Sequence, residues 1–441
     1  MATSRRAAVR GWVMVAVVLA WVAAPAAAGA AARPNNTPPE GFTALFSGKD
    51  LVGWKGLVGD PKSRAAMTAE QLAEAQKQSD AEIAKHWRAE GGEIVNDGGG
   101  PHLCTAKDYG DFEMWVDWKI SPKADSGVYL RGSPQVQVWD PVAGIDQAKV
   151  GSGGLYNNQK NRSTPLVVAD KPAGEWNTFY IRMVGELVTV KLNGQLVVDN
   201  VPLENYWDRA RPIYPTGQIE LQTHGGEIRF RNVYLREIPP EEADRVLQGL
   251  ADDGFKPVFN GKDLDGWQGA TDGYLVENGT LICDPKKGGN LLAKQEYADF
   301  AIRFEFKLPP GGNNGLALRA PGMGNPAYEG MEIQILDDTA EKHATLKPWQ
   351  YHGSVYGVVP AHRGYTRPVG EWNFEEVVCQ GSHITVKVNG TAIVDADLTK
   401  VEKPTDSGDH PGMKRASGLV GFMGHGDRVE FRNIRVKVLG Q

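Results

Sequence analysis

Glu332-Ile333-Gln334-Ile335-Leu336-Asp337 and, earlier, Gln135-Val136-Gln137-Val138-Trp139-Asp140 are short runs in which polar and apolar residues alternate. Successive side chains of a strand point to opposite faces, so Glu332 and Gln334 share one face and Ile333 and Ile335 the other. Such a strand packs on a core behind and offers a carboxylate and an amide in front. Asp337 falls out of the alternation by one residue. A β-bulge at Leu336 would return it to the polar face, the kind of re-aiming that bulges perform near active sites.

Outward from these two strands, the text of the chain repeats. Gly41-Phe42-Thr43-Ala44-Leu45-Phe46-Ser47-Gly48-Lys49-Asp50-Leu51-Val52-Gly53-Trp54 returns as Gly254-Phe255-Lys256-Pro257-Val258-Phe259-Asn260-Gly261-Lys262-Asp263-Leu264-Asp265-Gly266-Trp267. Ser126-Gly127-Val128-Tyr129-Leu130-Arg131 answers Asn314-Gly315-Leu316-Ala317-Leu318-Arg319, and Gly174-Glu175-Trp176-Asn177 answers Gly370-Glu371-Trp372-Asn373. One domain has been duplicated in tandem, over 41–238 and 254–441, with linkers at 33–40 and 239–253.

Each copy reads as all-β. Alternation runs through Asp111 to Ile120, Asp299 to Leu308, Trp176 to Val184 and Glu371 to Cys379. Asn193-Gly194 and Asn389-Gly390 sit between apolar runs, the strongest short hairpin signal. Many short strands with glycine-rich turns predict a two-sheet sandwich or jelly roll. A helical insertion from Thr68 to about Lys85 interrupts the first copy alone, and the linker from Pro239 carries a short helix. Trp176, Trp372, Phe230 and Phe431 read as core, and Arg231-Asn232 and Arg432-Asn433 as ties between strands.

A net charge of −6 provides no basic footprint, so nucleic acid is not an expected partner. Three cysteines, Cys104, Cys283 and Cys379, are too few for a disulfide framework; at most Cys283 pairs with Cys379. No spacing singles out a metal site, and no cofactor is expected. Residues 1–32 read as an export signal: Arg5, Arg6 and Arg10 precede an apolar run from Gly11 to about Ala24, then Pro25 and small residues. Cleavage after Ala28 or Ala32 would leave no stable membrane span and an exported protein, periplasmic or secreted. Ser4-Arg5-Arg6 leaves the general secretory and twin-arginine routes both open.

Function is sought among the polar residues that both copies carry. These are an arginine at a strand end (Arg131, Arg319), a glutamine in the quoted strand (Gln137, Gln334) and its terminal aspartate (Asp140, Asp337). A tyrosine after a glycine- or serine-containing turn (Tyr156, Tyr356) and a histidine in a glycine turn (His224, His425) complete the set. Each has a structural alternative: the arginines could pair with a carboxylate, and the histidines could close a turn.

Taken together, the opening motif ending in Gly-Lys-Asp-Leu-x-Gly-Trp, the strand ending in Leu-Arg, Glu332 to Asp337, Gly-Glu-Trp-Asn, the Asn-Gly hairpin and the final Phe-Arg-Asn resemble the 3-keto-disaccharide hydrolase family. The resemblance spans nearly all of both copies. It implies concanavalin-A-like (jelly-roll) β-sandwiches, a carbohydrate substrate already oxidised at C3, and an upstream sugar 3-dehydrogenase to make it. A C3 ketone acidifies the C2 hydrogen, so a base can remove it, expel the C1 substituent and let water add to the enone. That chemistry needs a base, donors for the enolate oxygen and an acid for the leaving group. Asp337 or His425 is the expected base, Arg319 and Gln334 the ligands, and Tyr356 or Glu332 the proton donor. The first copy would use Asp140, His224, Arg131, Gln137 and Tyr156, but it has Gln135 where the second has Glu332. Two other readings stay open: a non-catalytic tandem sugar-binding module, and a direct retaining glycosidase using Glu332 and Asp337, a mechanism that wants its carboxyls about 5–5.5 Å apart, a gap that Asp in place of Glu would open.

Overall fold

The computed structural model describes residues 33–142, 144, 146–251 and 254–440; the expected export signal lies outside them. Each copy is an eight-stranded antiparallel sheet packed on a five-stranded one. In the first copy the smaller sheet runs Trp54–Gly56, Leu103–Thr105, Glu220–Leu221, Asp125–Leu130, Ser133–Trp139. In the second it runs Trp267–Gly269, Gly289–Tyr297, Gly418–Gly424, Asn313–Ala320, Met331–Leu336. The fold is all-β, two jelly-roll sandwiches in tandem. Among the described residues no helix is long and apolar enough to cross a membrane.

Alternation decides what fills each sandwich. Ile333, Ile335, Leu316, Leu318 and Phe422 point inward from the smaller sheet and meet Phe304, Phe306 and Phe431 from the larger one. Phe422 stacks on Phe431 with ring centroids 3.9 Å apart. Burying each such ring contributes about 2–3 kcal/mol. Val136, Val138 and Leu221 play the same part in the first copy, against Phe112, Trp118, Phe179 and Phe230.

The quoted strand departs from expectation at its end. Strand Met331–Leu336 pairs with Asn313–Ala320 residue for residue, Asn313 opposite Leu336 through Leu318 opposite Met331, without a register shift. No bulge forms at Leu336, and Asp337 stays on the side of Ile335. Trp176 and Trp372 are also not core. They lie half-buried on the larger sheets under Arg231 and Arg432, whose guanidinium carbons stand 4.0 and 4.1 Å from the rings. Phe230 and Phe431 are core, and Arg231 and Arg432 bridge to Asp117 and Glu305 on the neighbouring strand. The three cysteines are buried free thiols.

Two helices form the insertion: α1 (Pro61–Ala65), whose Asp60 cap closes a capping box, and α2 (Ala69–His86), capped by Thr68 and Gln71 in the same way. The linker helix α3 (Pro240–Gly249) packs Ala243 and Leu247 against Val184 of the first copy and Phe374 of the second. Arg367 grips its Asp244 with two bonds of 2.9 and 2.7 Å.

Candidate active site

On the outer face of the second copy's smaller sheet, Glu332 and Gln334 stand on the edge strand. Their cross-strand neighbours are small: Ala317 opposite Glu332, Gly315 opposite Gln334, and Gly421 beyond Ala317. The Glu332 carboxylate leans over Gly315, where a Cβ would lie 2.1 Å from Glu332 Oε1. Only glycine permits that approach. Glu332 is 4% exposed, and its buried Oε1 has no hydrogen-bond donor among the described residues. An ionised carboxylate in that position is costly unless a cation stands near it.

The group that can carry that charge, when protonated, is His425, with Nε2 3.9 Å from Glu332 Oε1. The contact with Glu332 outweighs the burial of the ring and raises the imidazole pKa above its ordinary 6.5. His425 remains about half open to solvent, with its side chain 45% exposed, so it is the member of the pair that a substrate meets. The segment after the strand folds back along it, Tyr356 N donating to Glu332 O at 2.9 Å. The Tyr356 hydroxyl accepts a 3.4 Å bond from Gln350 Nε2, and Trp349 stands edge-on to its ring.

Three more residues complete the cluster. Tyr328 lies on α4 (Pro326–Glu329), a single turn capped by the Asn325 side chain. Burial raises its hydroxyl pKa, and so do the neighbouring Tyr356, Asp406 and Glu332. The ring of His410 lies 4.8 Å from that of Tyr328, and its Nε2 is 3.1 Å from both Asp406 oxygens. The Asp406–His410 segment lies against Gly357, where a Cβ would meet both side chains at 2.6 Å.

Several expected site residues are elsewhere. Asp337 Oδ2 accepts from Gly311 N at 2.8 Å, and Oδ1 accepts from Thr339 N and Oγ1 at 2.9 and 2.6 Å. Burial opposes its charge, but these bonds outweigh burial and hold its pKa below the ordinary value. Asp140 does the same work in the first copy, accepting from Lys123 N at 3.0 Å and Val142 N at 3.1 Å. Both aspartates fasten turns. Their placement removes them as bases, and it removes the direct glycosidase that needed Glu332 and Asp337 face to face. Arg131 and Arg319 are buried and tied to structure: each guanidinium holds three carbonyls (Gly110, Gly185 and Tyr214; Ala298, Gly381 and Arg415) and one carboxylate (Asp111; Asp299). They are not substrate ligands.

The first copy's outer face is built differently. Gln135 Nε2 bonds Gln137 Oε1, and Gln137 Nε2 bonds Asp125 at 2.6 Å. His224 Nδ1 stands 3.3 Å from the other Asp125 oxygen. Tyr156 is 46% exposed and edge-on to Trp139. Deeper in the face lie Tyr129, Glu220 and Cys104, side by side across three strands. Glu220 is 1% exposed with neither oxygen hydrogen-bonded, and burial pushes its pKa up to about 8. Nearby, burial and then the charge of His224 lower the His102 pKa to about 4. α1 covers this part of the face: a Cβ on Gly132 would lie 2.9 Å from Pro61 and 3.6 Å from both Arg64 Nη2 and Glu220 Oε1.

Tyr328, Asp406, His410, Tyr129 and Glu220 were not among the sequence candidates. Each occurs in one copy alone, so a search for what both copies carry passes over them. The Asp406-x-x-x-His410 spacing was the one local signal available.

A domain model described as the 3-keto-alpha-glucoside-1,2-lyase-like domain matches residues 41–236 and again 254–437. The chain belongs to that family. A 3-keto-disaccharide hydrolase of Bacteroides thetaiotaomicron is 26% identical over 248 residues, covering 47% of this chain and 86% of that protein. Two solved Parabacteroides distasonis chains, both provisionally assigned as glycosyl hydrolases, also match. One is 30% identical and covers 42% of this chain and 99% of its own, with a TM-score of 0.39. The other is 25% identical and covers 43% and 95%, with a TM-score of 0.37.

Proposed function

We propose that the second copy cleaves 3-keto-glycosides by removing the C2 proton, expelling the C1 substituent and adding water to the enone. The observation that carries this reading is the Glu332–His425 pair. His425 is open to the sheet face and serves as the base; Glu332, behind it, orients the ring and increases its basicity. Gly315, Ala317 and Gly421 put only small residues next to the pair along the sheet. Gln334 supplies an amide for a sugar hydroxyl, and the hydroxyls of Tyr328 and Tyr356 stand on the same side as donors for the departing oxygen. The substrate must come from an oxidoreductase that makes the C3 ketone. The N-terminal apolar stretch supports action outside the cytoplasm.

The test is a matched pair, an aryl glucoside and its 3-keto derivative. Aglycone release from the keto compound alone, slowed by deuterium at C2, is the expected result; release from the ordinary glucoside would overturn the keto-dependent route. Because His425 must be neutral to accept a proton and its pKa is raised, the acidic limb of kcat/KM lies above pH 6.5, and activity increases as pH rises through it. Glu332→Gln removes the largest cause of that shift, leaving only the charge of Asp427 to raise it. The limb should move to lower pH while the rate falls. A lost rate with an unmoved limb would instead make Glu332 the base.

A further inference from the structure

The two sandwiches meet through unlike surfaces. On the first, the Asp111–Arg131 corner and the turn at Gly185 form a socket; on the second, residues 362–367 and the hairpin turn Asn389-Gly390 form a plug. Glu186 N donates to Gly390 O at 3.1 Å, and Ala392 N to the Glu186 carboxylate at 3.3 Å. A Cβ on Gly185 would lie 2.4 Å from the Gly390 carbonyl carbon, so the two turns touch backbone to backbone. The space left at this corner, between Arg131 and Tyr365, is about 160 Å3.

Because the domain is duplicated, socket and plug each exist a second time, and among the described residues nothing covers the second versions. Asp299 accepts from Arg319 Nη2 at 3.1 Å and Gly381 N at 2.8 Å, just as Asp111 accepts from Arg131 Nη2 at 2.6 Å and Gly185 N at 2.9 Å. Here the corner opens into a cavity of about 800 Å3 with Leu398, Val401, Pro404 and Met413 in its wall. The second plug is on the first sandwich. Asn193 Nδ2 bonds Ala169 O at 2.8 Å as Asn389 Nδ2 bonds Tyr365 O at 2.9 Å. A Cβ at either Gly381 or Gly194, the counterparts of Gly185 and Gly390, would meet nothing within 4 Å. Around this bare plug Leu166, Val167, Val168 and Leu196 are 43, 45, 54 and 38% exposed. Clustered exposed apolar side chains of this kind mark association surfaces.

We propose that the chain associates head to tail with a second copy of itself, the Leu166–Val168 face of one first sandwich entering the Asp299–Arg319 socket of the next chain's second sandwich. The joint inside the chain is its template. Such a contact is heterologous, and it builds a ring if the rotation closes and an open array if it does not. α3 supports the internal joint through Leu247 and Asp244 and is already engaged there. The joint between chains is therefore the weaker one and depends on concentration.

Sedimentation velocity across a concentration series tests this on the full chain. The weight-average mass of the unaltered protein should rise at least twofold above that of one chain. The double variant Val167→Glu, Val168→Glu spoils the plug, and Ser382→Arg obstructs the socket; each alone should stay at one chain. Mixed together they should form a dimer and nothing larger, since only one intact plug and one intact socket remain between them. A protein that stays at one chain at every concentration overturns the proposal, as do variants that associate like the parent or a mixture that fails to pair. Melting curves check that the variants fold, with Leu196→Glu and Thr399→Arg replacing any that does not.

Discussion

Across the outer face of the first sandwich, one row of cross-strand neighbours reads Tyr129, Glu220, Cys104, Lys55, with Gln135 at the edge in the irregular pairing beside Tyr129. The same row in the second sandwich reads Glu332, Ala317, Gly421, Leu292, Gln268. Each row holds one carboxyl group, on a different strand. In the second it stands at the edge beside a half-open histidine, over a floor of small residues. In the first it lies mid-sheet between Tyr129 and Cys104, near α1, with no hydrogen-bond partner among the described residues. Where a carboxyl stands in its sheet decides which groups it meets, a half-open histidine at the edge or a tyrosine and a thiol in the middle. The duplication kept the scaffold and let the two faces diverge.

The largest expected effect separates the two faces by activity. Glu332→Gln or His425→Ala should lower kcat/KM by about 10²–10⁴-fold, the usual contribution of general acid–base groups. Gln135→Ala and His224→Ala should leave it within about threefold of the parent, less than 1 kcal/mol of transition-state energy. Equal losses on both sides would erase the difference.

A second experiment reads the buried acid through stability. With its pKa raised to about 8 from 4.5, Glu220 favours the native state in its neutral form. That advantage is complete below pH 4.5 and is lost as pH rises through 8, because the unfolded carboxyl ionises first. Glu220→Gln should therefore match the parent near pH 4 and exceed it at pH 8 by on the order of 4 kcal/mol in urea unfolding. Identical curves at both pH values would show Glu220 ionised and partnered.

Smaller effects test the corners. Arg319→Lys should cost about 2–3 kcal/mol of stability, because lysine cannot serve three carbonyls and a carboxylate at once, with kcat/KM unchanged in the folded fraction. Asp337→Asn should cost about 1 kcal/mol through the turn it fastens and leave turnover intact. A turnover defect in either variant, with folding intact, would return that residue to the mechanism.

Duplication, strand alternation, Asn-Gly hairpins and the capped insertion were legible in the chain because each is a local pattern: a side chain's face follows from its position in a strand, and a cap from three or four consecutive residues. Glu332, His425 and Tyr356 were legible as candidates for the same reason. The locations of Asp337 and Arg319 were not. A bulge and no bulge are both compatible with Leu336-Asp337, and only the unbroken pairing with Asn313–Ala320 kept the carboxylate off the polar face. Both arginines hold left-handed backbone, at φ +53° and +46°, where their side chains turn to carbonyls far along the chain. Tyr328, Asp406 and His410 join the second site from a single helical turn and a loop, whereas Tyr129 and Glu220 stand on strands of the first sheet. Sequence order carries side-chain alternation, but the meeting of distant loops depends on packing, and packing decided which carboxyl group lies behind a half-open histidine and which is sealed in mid-sheet.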